Sequence, residues 1–207
     1  TLISAPAGYG KTSSLVDFAR RAPLPVCWYT VDERDRDLSL FIRYVVGAIG
    51  EQFPTFGRGT REAIASRGGD LFREPTLVVG DLVNEILDLG SEFALVIDNF
   101  ESVDGAYGIR DFMHRLLEVL PSNCHLMMGS RVLPDVPVAQ LVAKRQLVGL
   151  AEQDLRFRPD EIRALLRQAE VAITEGQARA IADNAEGWIT GVLLIVDLLR
   201  TDAESVF

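Results

Sequence analysis

Eight residues near the start of this chain, Ala5-Pro6-Ala7-Gly8-Tyr9-Gly10-Lys11-Thr12, restrict what it can fold into more than any other feature. Apolar Leu2 and Ile3 come before them, and Leu15, Phe18 and Ala19 follow at helical spacing. The order is therefore strand, Gly-rich loop, helix. Gly8 and Gly10 let successive backbone N–H groups wrap one anion. The start of the helix adds its own unpaired N–H groups and the positive end of its dipole. In that context the run reads as a nucleotide phosphate loop, with Ala5 where the first Gly of the pattern usually stands. The candidate nucleotide contacts are Ala7, Gly8, Tyr9, Gly10, Lys11, Thr12 and Ser13. Lys11 would reach the β- and γ-phosphates and the Thr12 hydroxyl would hold Mg²⁺. The expected cofactors are ATP or ADP with Mg²⁺.

Composition narrows the class. The 207 residues suffice for one α/β domain with a small appendage, and 48% hydrophobic content supplies a core. A net charge of -9 argues against direct nucleic-acid binding by this segment. The longest apolar candidate, Ile189–Leu199, contains Asp197 and is too short to span a membrane. No signal-peptide pattern is present, so a cytoplasmic location is expected. Cys27 and Cys124 form no CxxC pair and read as buried, reduced thiols. The chain starts without Met at the strand that feeds the loop and ends in an acidic, weakly structured tail, so it reads as a piece of something longer.

Five apolar runs read as strands: Thr1–Ala5, Val26–Val31, Phe93–Asp98, Cys124–Ser130 and Gln146–Gly149. Helical patterns separate the first four, which predicts a parallel α/β sheet. Helices are expected over Lys11–Arg21, after an Asp37 N-cap, over Pro75–Leu89 and over Arg110–Leu120. Phe56–Gly69 reads as a loop with a short helix. Near Leu150 the composition changes, and only helices follow. Pro159-Asp160-Glu161 starts one; Thr174 and Gln177 form a capping box for the next, which Gly187 closes. The expected division is a nucleotide-binding domain over 1–150 and a helical module over 151–207.

Phe93–Asp98 is a hydrophobic run that ends in a carboxylate. Ligands of open α/β sheets sit at the carboxyl ends of the strands, so Asp98 is the second candidate for Mg²⁺. A base to orient attacking water often comes next in sequence, but here that residue is Asn99, which cannot accept a proton at neutral pH. Glu101 and Asp104, slightly downstream, are the candidate substitutes; a solvated loop acid is the other reading of Glu101 and the preferred one of Asp104, and the expectation is slow hydrolysis. Arg131, after the Cys124–Ser130 strand, is a candidate γ-phosphate sensor; the plainer reading is a surface Arg. The candidate catalytic set is therefore Lys11, Asp98, Glu101 and Arg131.

Several segments stand in a recognisable order: the phosphate loop, Cys27-Trp28-Tyr29-Thr30-Val31-Asp32, Leu95-Val96-Ile97-Asp98-Asn99-Phe100 and Gly129-Ser130-Arg131 with Leu133-Pro134. Gln146-Leu147-Val148 through Asp154-Leu155-Arg156-Phe157, Pro159-Asp160-Glu161 and Gly187-Trp188 complete the series. Taken together they resemble the signal-transduction ATPases with numerous domains, and more closely the large ATP-binding regulators of the LuxR type. The resemblance implies a P-loop NTPase of the additional-strand type: a five-stranded parallel sheet with the sensor strand between the phosphate-loop strand and the Asp98 strand, then a small helical module. It implies a switch in which ADP holds a closed resting form, and inducer with ATP favours self-association. It also implies partners in a longer chain, namely sensor repeats and a DNA-binding domain. Ile189 follows Gly187-Trp188 where the wider class has a Gly-x-Pro motif. Two other readings stay open from the residues alone: a P-loop kinase acting on a small acceptor, and a nucleotide-stabilised interaction scaffold without turnover.

Overall fold

The computed structural model describes residues 1–67 and 75–204. The chain divides into two compact units: Thr1–Ser4 with Thr12–Gly149, and Ala5–Lys11 with the chain from Leu150 onward.

The first unit is built on parallel strands. β1 (Leu2–Ser4), β2 (Val26–Thr30), β3 (Phe93–Asp98), β4 (Cys124–Ser130) and β5 (Gly149–Ala151) form one sheet in the order β2-β3-β4-β1-β5. β4 thus lies between β1 and β3, as the family resemblance implied. All six residues of β3 are buried, the pattern of a central parallel strand covered on both faces. Register brings the carboxyl ends level: Ser4 pairs with Ser130, Ile97 with Met128 and Thr30 with Asp98.

Helices α1 (Lys11–Arg21), α2 (Leu38–Gln52), α3 (Arg58–Arg67), α4 (Pro75–Asp88) and α5 (Ile109–Val119) lie between these strands in sequence. Asp37 caps α2 by accepting a hydrogen bond from Leu40 N at 3.0 Å. The segment read as a loop with a short helix is mostly helix, α3; its last two positions, 68 and 69, lie outside the described residues, as does the end of the tail, 205–207. A core cluster fills the unit around Phe41, whose ring meets Tyr29 at 5.6 Å, Phe112 at 6.2 Å and Phe100 at 6.4 Å.

One strand lies elsewhere than expected. The run Gln146–Gly149 joins the sheet only at Val148 and Gly149, the latter opening β5. Gln146 N instead donates to Leu141 O at 2.8 Å, and Arg145 takes φ 57°. Together they close the short helix α6 (Val138–Ala143), which the sequence reading did not anticipate. Pairing with β1 resumes where Leu2 N donates to Val148 O at 2.8 Å.

The second unit holds α7 (Glu152–Leu155), α8 (Pro159–Gln168), α9 (Glu175–Asn184) and α10 (Ile189–Glu204). Pro159 opens α8, and Glu161 accepts from Arg158 N at 2.9 Å. Thr174 and Gln177 cap α9 reciprocally: Thr174 N donates to Gln177 Oε1 at 2.8 Å and Gln177 N to Thr174 Oγ1 at 3.3 Å. Gly187, at φ 69°, ends it. Ile162, Leu166 and Val192 form the small core. Val192 is buried, whereas Leu193 and Leu194 are exposed.

Phe41→Ala is expected to destabilise the protein by about 3–5 kcal/mol in denaturant unfolding, because its buried ring leaves a cavity. Both cysteines are free and buried, and burial pushes each thiol up to about 12. A raised thiol adds stability that is complete below its ordinary value and is lost as pH climbs toward the folded one. Denaturant midpoints should therefore fall between pH 9 and 12, and iodoacetamide should spare both cysteines of the folded protein at pH 8.

Candidate phosphate-binding site

β1 ends at Ser4 and α1 begins at Lys11, so the Gly-rich run spans the turn between them. Gly8 and Gly10 both take φ 81°, a conformation that L side chains rarely adopt. Lys11 is buried, and its ammonium donates to Ala5 O at 2.7 Å and Pro6 O at 3.0 Å. The charge thus sits over the loop's own carbonyls. In the same unit, Trp188 Nε1 donates to Ala7 O at 3.0 Å, while Thr190 gives Gly8 O its hydroxyl at 3.2 Å and its N–H at 3.3 Å. A Cβ on Gly8 would lie 2.3 Å from Trp188 Nε1 and 2.6 Å from Thr190 Oγ1. Gly8 is therefore required by the approach of these side chains as well as by its φ. On Gly10 the nearest atom would be 3.8 Å away, so conformation alone demands glycine there.

Tyr9 points to another partner. Burial first, and then the Glu152 carboxylate, push its phenol up. Glu152 is held below the usual carboxylate range chiefly by its hydrogen bond from Arg156 at 2.6 Å. Ser13 is exposed in the first turn of α1, and Ala7 contributes the carbonyl that Trp188 grips.

The remaining candidates belong to the first unit. Thr12 Oγ1 donates to Asp98 Oδ2 at 2.7 Å, so the two proposed Mg²⁺ ligands meet. Asp98 is 1% exposed, and its Oδ1 accepts from Asn99 N at 3.0 Å. A hydroxyl beside a carboxylate is a hard oxygen pair that suits Mg²⁺, an ion that keeps several waters and binds few protein ligands. Gly129 makes the room: its Cβ would stand 2.7 Å from Asp98 Oδ1 and 3.0 Å from Leu15 Cδ1.

Asn99 follows at φ 59°, ψ 37°, a left-handed conformation that Asn tolerates better than most residues. It opens the short turn Phe100–Ser102 that carries Glu101. Glu101 and Arg131 are brought together. Arg131 N donates to Glu101 Oε2 at 3.1 Å, and Arg131 Nε approaches Oε1 at 2.9 Å as an ion pair without aligned hydrogen-bond geometry. Asp104 likewise accepts from Asp135 N at 3.2 Å. The two downstream acids thus anchor the segment after β4. Ser130, fully buried at the end of β4, has a hydroxyl with no hydrogen-bond partner among the described residues. A cavity of about 690 Å³ lies at the starts of β1 and β4, lined by Thr1, Phe18, Leu117 and Leu126 among others, and none of the candidate residues lines it.

The sequence reading missed Thr190 and gave Trp188 no task. The signal available was Gly187-Trp188 itself. Gly187 has no room for a Cβ, which would lie 2.7 Å from Arg156 Cβ, and Gly191 has none because of the Trp188 ring at 2.6 Å.

Gly129→Ala should push Asp98 off its Thr12 contact and cost about 1–3 kcal/mol, measured by denaturant unfolding; an unchanged midpoint would mean that Asp98 relocates freely.

No protein-family model matches the chain. It is 32% identical over 197 residues to the HTH-type transcriptional regulator MalT of Yersinia enterocolitica and 29% identical over 196 residues to that of Yersinia pestis. Each match covers 94% of this chain and 21% of the relative, so the chain spans about a fifth of the length of these regulators. Among solved structures, a DNA replication initiation factor superposes with a TM-score of 0.50 at 13% identity, over 97% of this chain and 54% of the other. The Aeropyrum pernix Orc1 protein, solved with DNA, does so with 0.50 at 18% identity, over 99% and 53%. At such identities the likeness concerns the fold alone, a parallel α/β sheet with helices. The chain is a homologue, over nearly its whole length, of a segment of the MalT regulators, and its fold is a five-stranded parallel α/β sheet followed by helices.

Proposed function

We propose that this chain is the ATP-binding, slowly hydrolysing switch module of a cytoplasmic transcriptional regulator. The observation that carries the reading is the Thr12–Asp98 contact: a phosphate-loop hydroxyl donates to a buried carboxylate at the end of a parallel strand. Residues 1–150 form the nucleotide-binding domain and 151–207 part of a helical module. Lys11 leaves the carbonyls of Ala5 and Pro6 to neutralise the β- and γ-phosphates. Ala7, Gly8, Tyr9, Gly10, Lys11, Thr12 and Ser13 line the phosphates. Thr12 and Asp98 hold Mg²⁺, which supplies positive charge against the phosphate oxygens when bound.

Slow turnover follows from the groups near Asp98. Hydrolysis requires water to attack the γ-phosphorus, lose a proton and expel ADP. Asn99 cannot take that proton, and Glu101 is committed to Arg131. A γ-phosphate would compete with Glu101 for Arg131, so the ATP and ADP forms would differ at this pair. That difference is what a switch needs, since a ligand shifts an equilibrium only by its differential affinity for the two states. The partners are a longer chain with sensor repeats and a DNA-binding domain, and a second copy in the ATP state.

Fluorescence titration with labelled ATP and ADP, together with phosphate release, tests the proposal. Micromolar or tighter binding is expected, weakened at least about tenfold by Lys11→Ala, a loss of some 1.4 kcal/mol. Turnover should fall far below the roughly 10 per second typical of enzymes. Arg131→Ala should narrow the difference between ATP and ADP. Fast turnover that survives Glu101→Gln, or no nucleotide binding by the wild type, would sink the reading.

A further inference from the structure

We propose that Trp188 and Thr190 are positioning residues that orient the phosphate loop for an anion by holding two of its carbonyls. This rests on the nucleotide reading and adds a task for the helical residues. In a trans peptide the C=O and the following N–H point in opposite directions. Trp188 Nε1 grips Ala7 O at 3.0 Å, which turns the Gly8 N–H away from the indole. Thr190 grips Gly8 O with its hydroxyl at 3.2 Å and its N–H at 3.3 Å, which turns the Tyr9 N–H away as well. Two successive donors are thereby set on the side opposite the α10 end, and an anion does not have to order them on binding.

The surrounding glycines agree with this arrangement. Gly8 admits the indole nitrogen and the Thr190 hydroxyl, where a Cβ would stand at 2.3 Å and 2.6 Å. Gly191 leaves space for the Trp188 ring, where a Cβ would stand 2.6 Å from Cε3. Gly187 turns the chain at φ 69° so that Trp188 leaves α9 toward the loop, and Phe157 N ties Gly187 O at 2.9 Å. Three glycines, an indole N–H and a threonine thus serve the grip on two carbonyls. The latch acts on the loop's main chain, and the specificity it supplies is for the phosphate end of the ligand.

The test uses three probes, ADP, inorganic pyrophosphate and adenosine, on wild type, Trp188→Phe, Thr190→Val and Thr190→Ser. Trp188→Phe removes the N–H and keeps an aromatic ring; Thr190→Val removes the hydroxyl and keeps the shape. Each is expected to weaken ADP and pyrophosphate about three- to tenfold, the range for one lost hydrogen bond, with melting temperature nearly unchanged. Thr190→Ser should restore wild-type affinity, and adenosine binding should not move. Undiminished ADP affinity in both Trp188→Phe and Thr190→Val would overturn the latch while leaving the nucleotide reading intact. A loss confined to adenosine would assign Trp188 to the base and overturn it too. Failure of the wild type to bind ADP or pyrophosphate would overturn both readings together. Should Trp188→Phe unfold, the Thr190 pair decides alone.

Discussion

A carboxylate buried to 1% exposure, Asp98, sets the terms for the carboxyl end of the sheet. Taking such a group out of water costs several kcal/mol unless its oxygens are satisfied. Thr12 and Asn99 N each serve one oxygen, and Gly129 gives up a side chain to leave the carboxylate its space. The left-handed turn at Asn99 follows at once and aims the next residues toward the segment after β4. One buried charge thus couples the first turn of α1, the end of β3 and the end of β4.

The cations and acids around it are paired in ways that bear on chemistry. Lys11 is held by carbonyls of its own loop, and Arg131 by Glu101. Each is a contact with a group that a phosphate could displace. The Glu101–Arg131 pair is partly exposed, so its strength as an isolated ion pair is modest and screened by salt. Its importance is positional: it occupies both the acid nearest Asp98 in sequence and the cation proposed to read the γ-phosphate.

Much of this was legible from residues alone because the signals are local. Strand β3 and helix α1 fall where the apolar run and the helical spacing put them, and the caps at Asp37 and Thr174 are made as their side chains imply. β5 was misplaced because Leu147 and Val148 look like strand residues, whereas the chain first spends the Gln146 N–H on closing α6. Competition for one backbone donor leaves no trace in hydropathy. Helix α6 itself is only six residues long, too short for a periodic pattern to distinguish.

The amino-acid sequence by itself determined the local segments: a Gly-rich turn before a helix, a carboxylate ending a buried strand, and a cation after another strand. Those are properties of short segments, fixed by backbone sterics and burial. Only the tertiary structure decided which of these groups meet. That Thr12 faces Asp98 across 86 positions of chain, that Glu101 is taken by Arg131, and that Trp188 reaches Ala7 across 181 are consequences of register and packing. Contacts between residues so far apart depend on how the elements stack, and no local pattern encodes that.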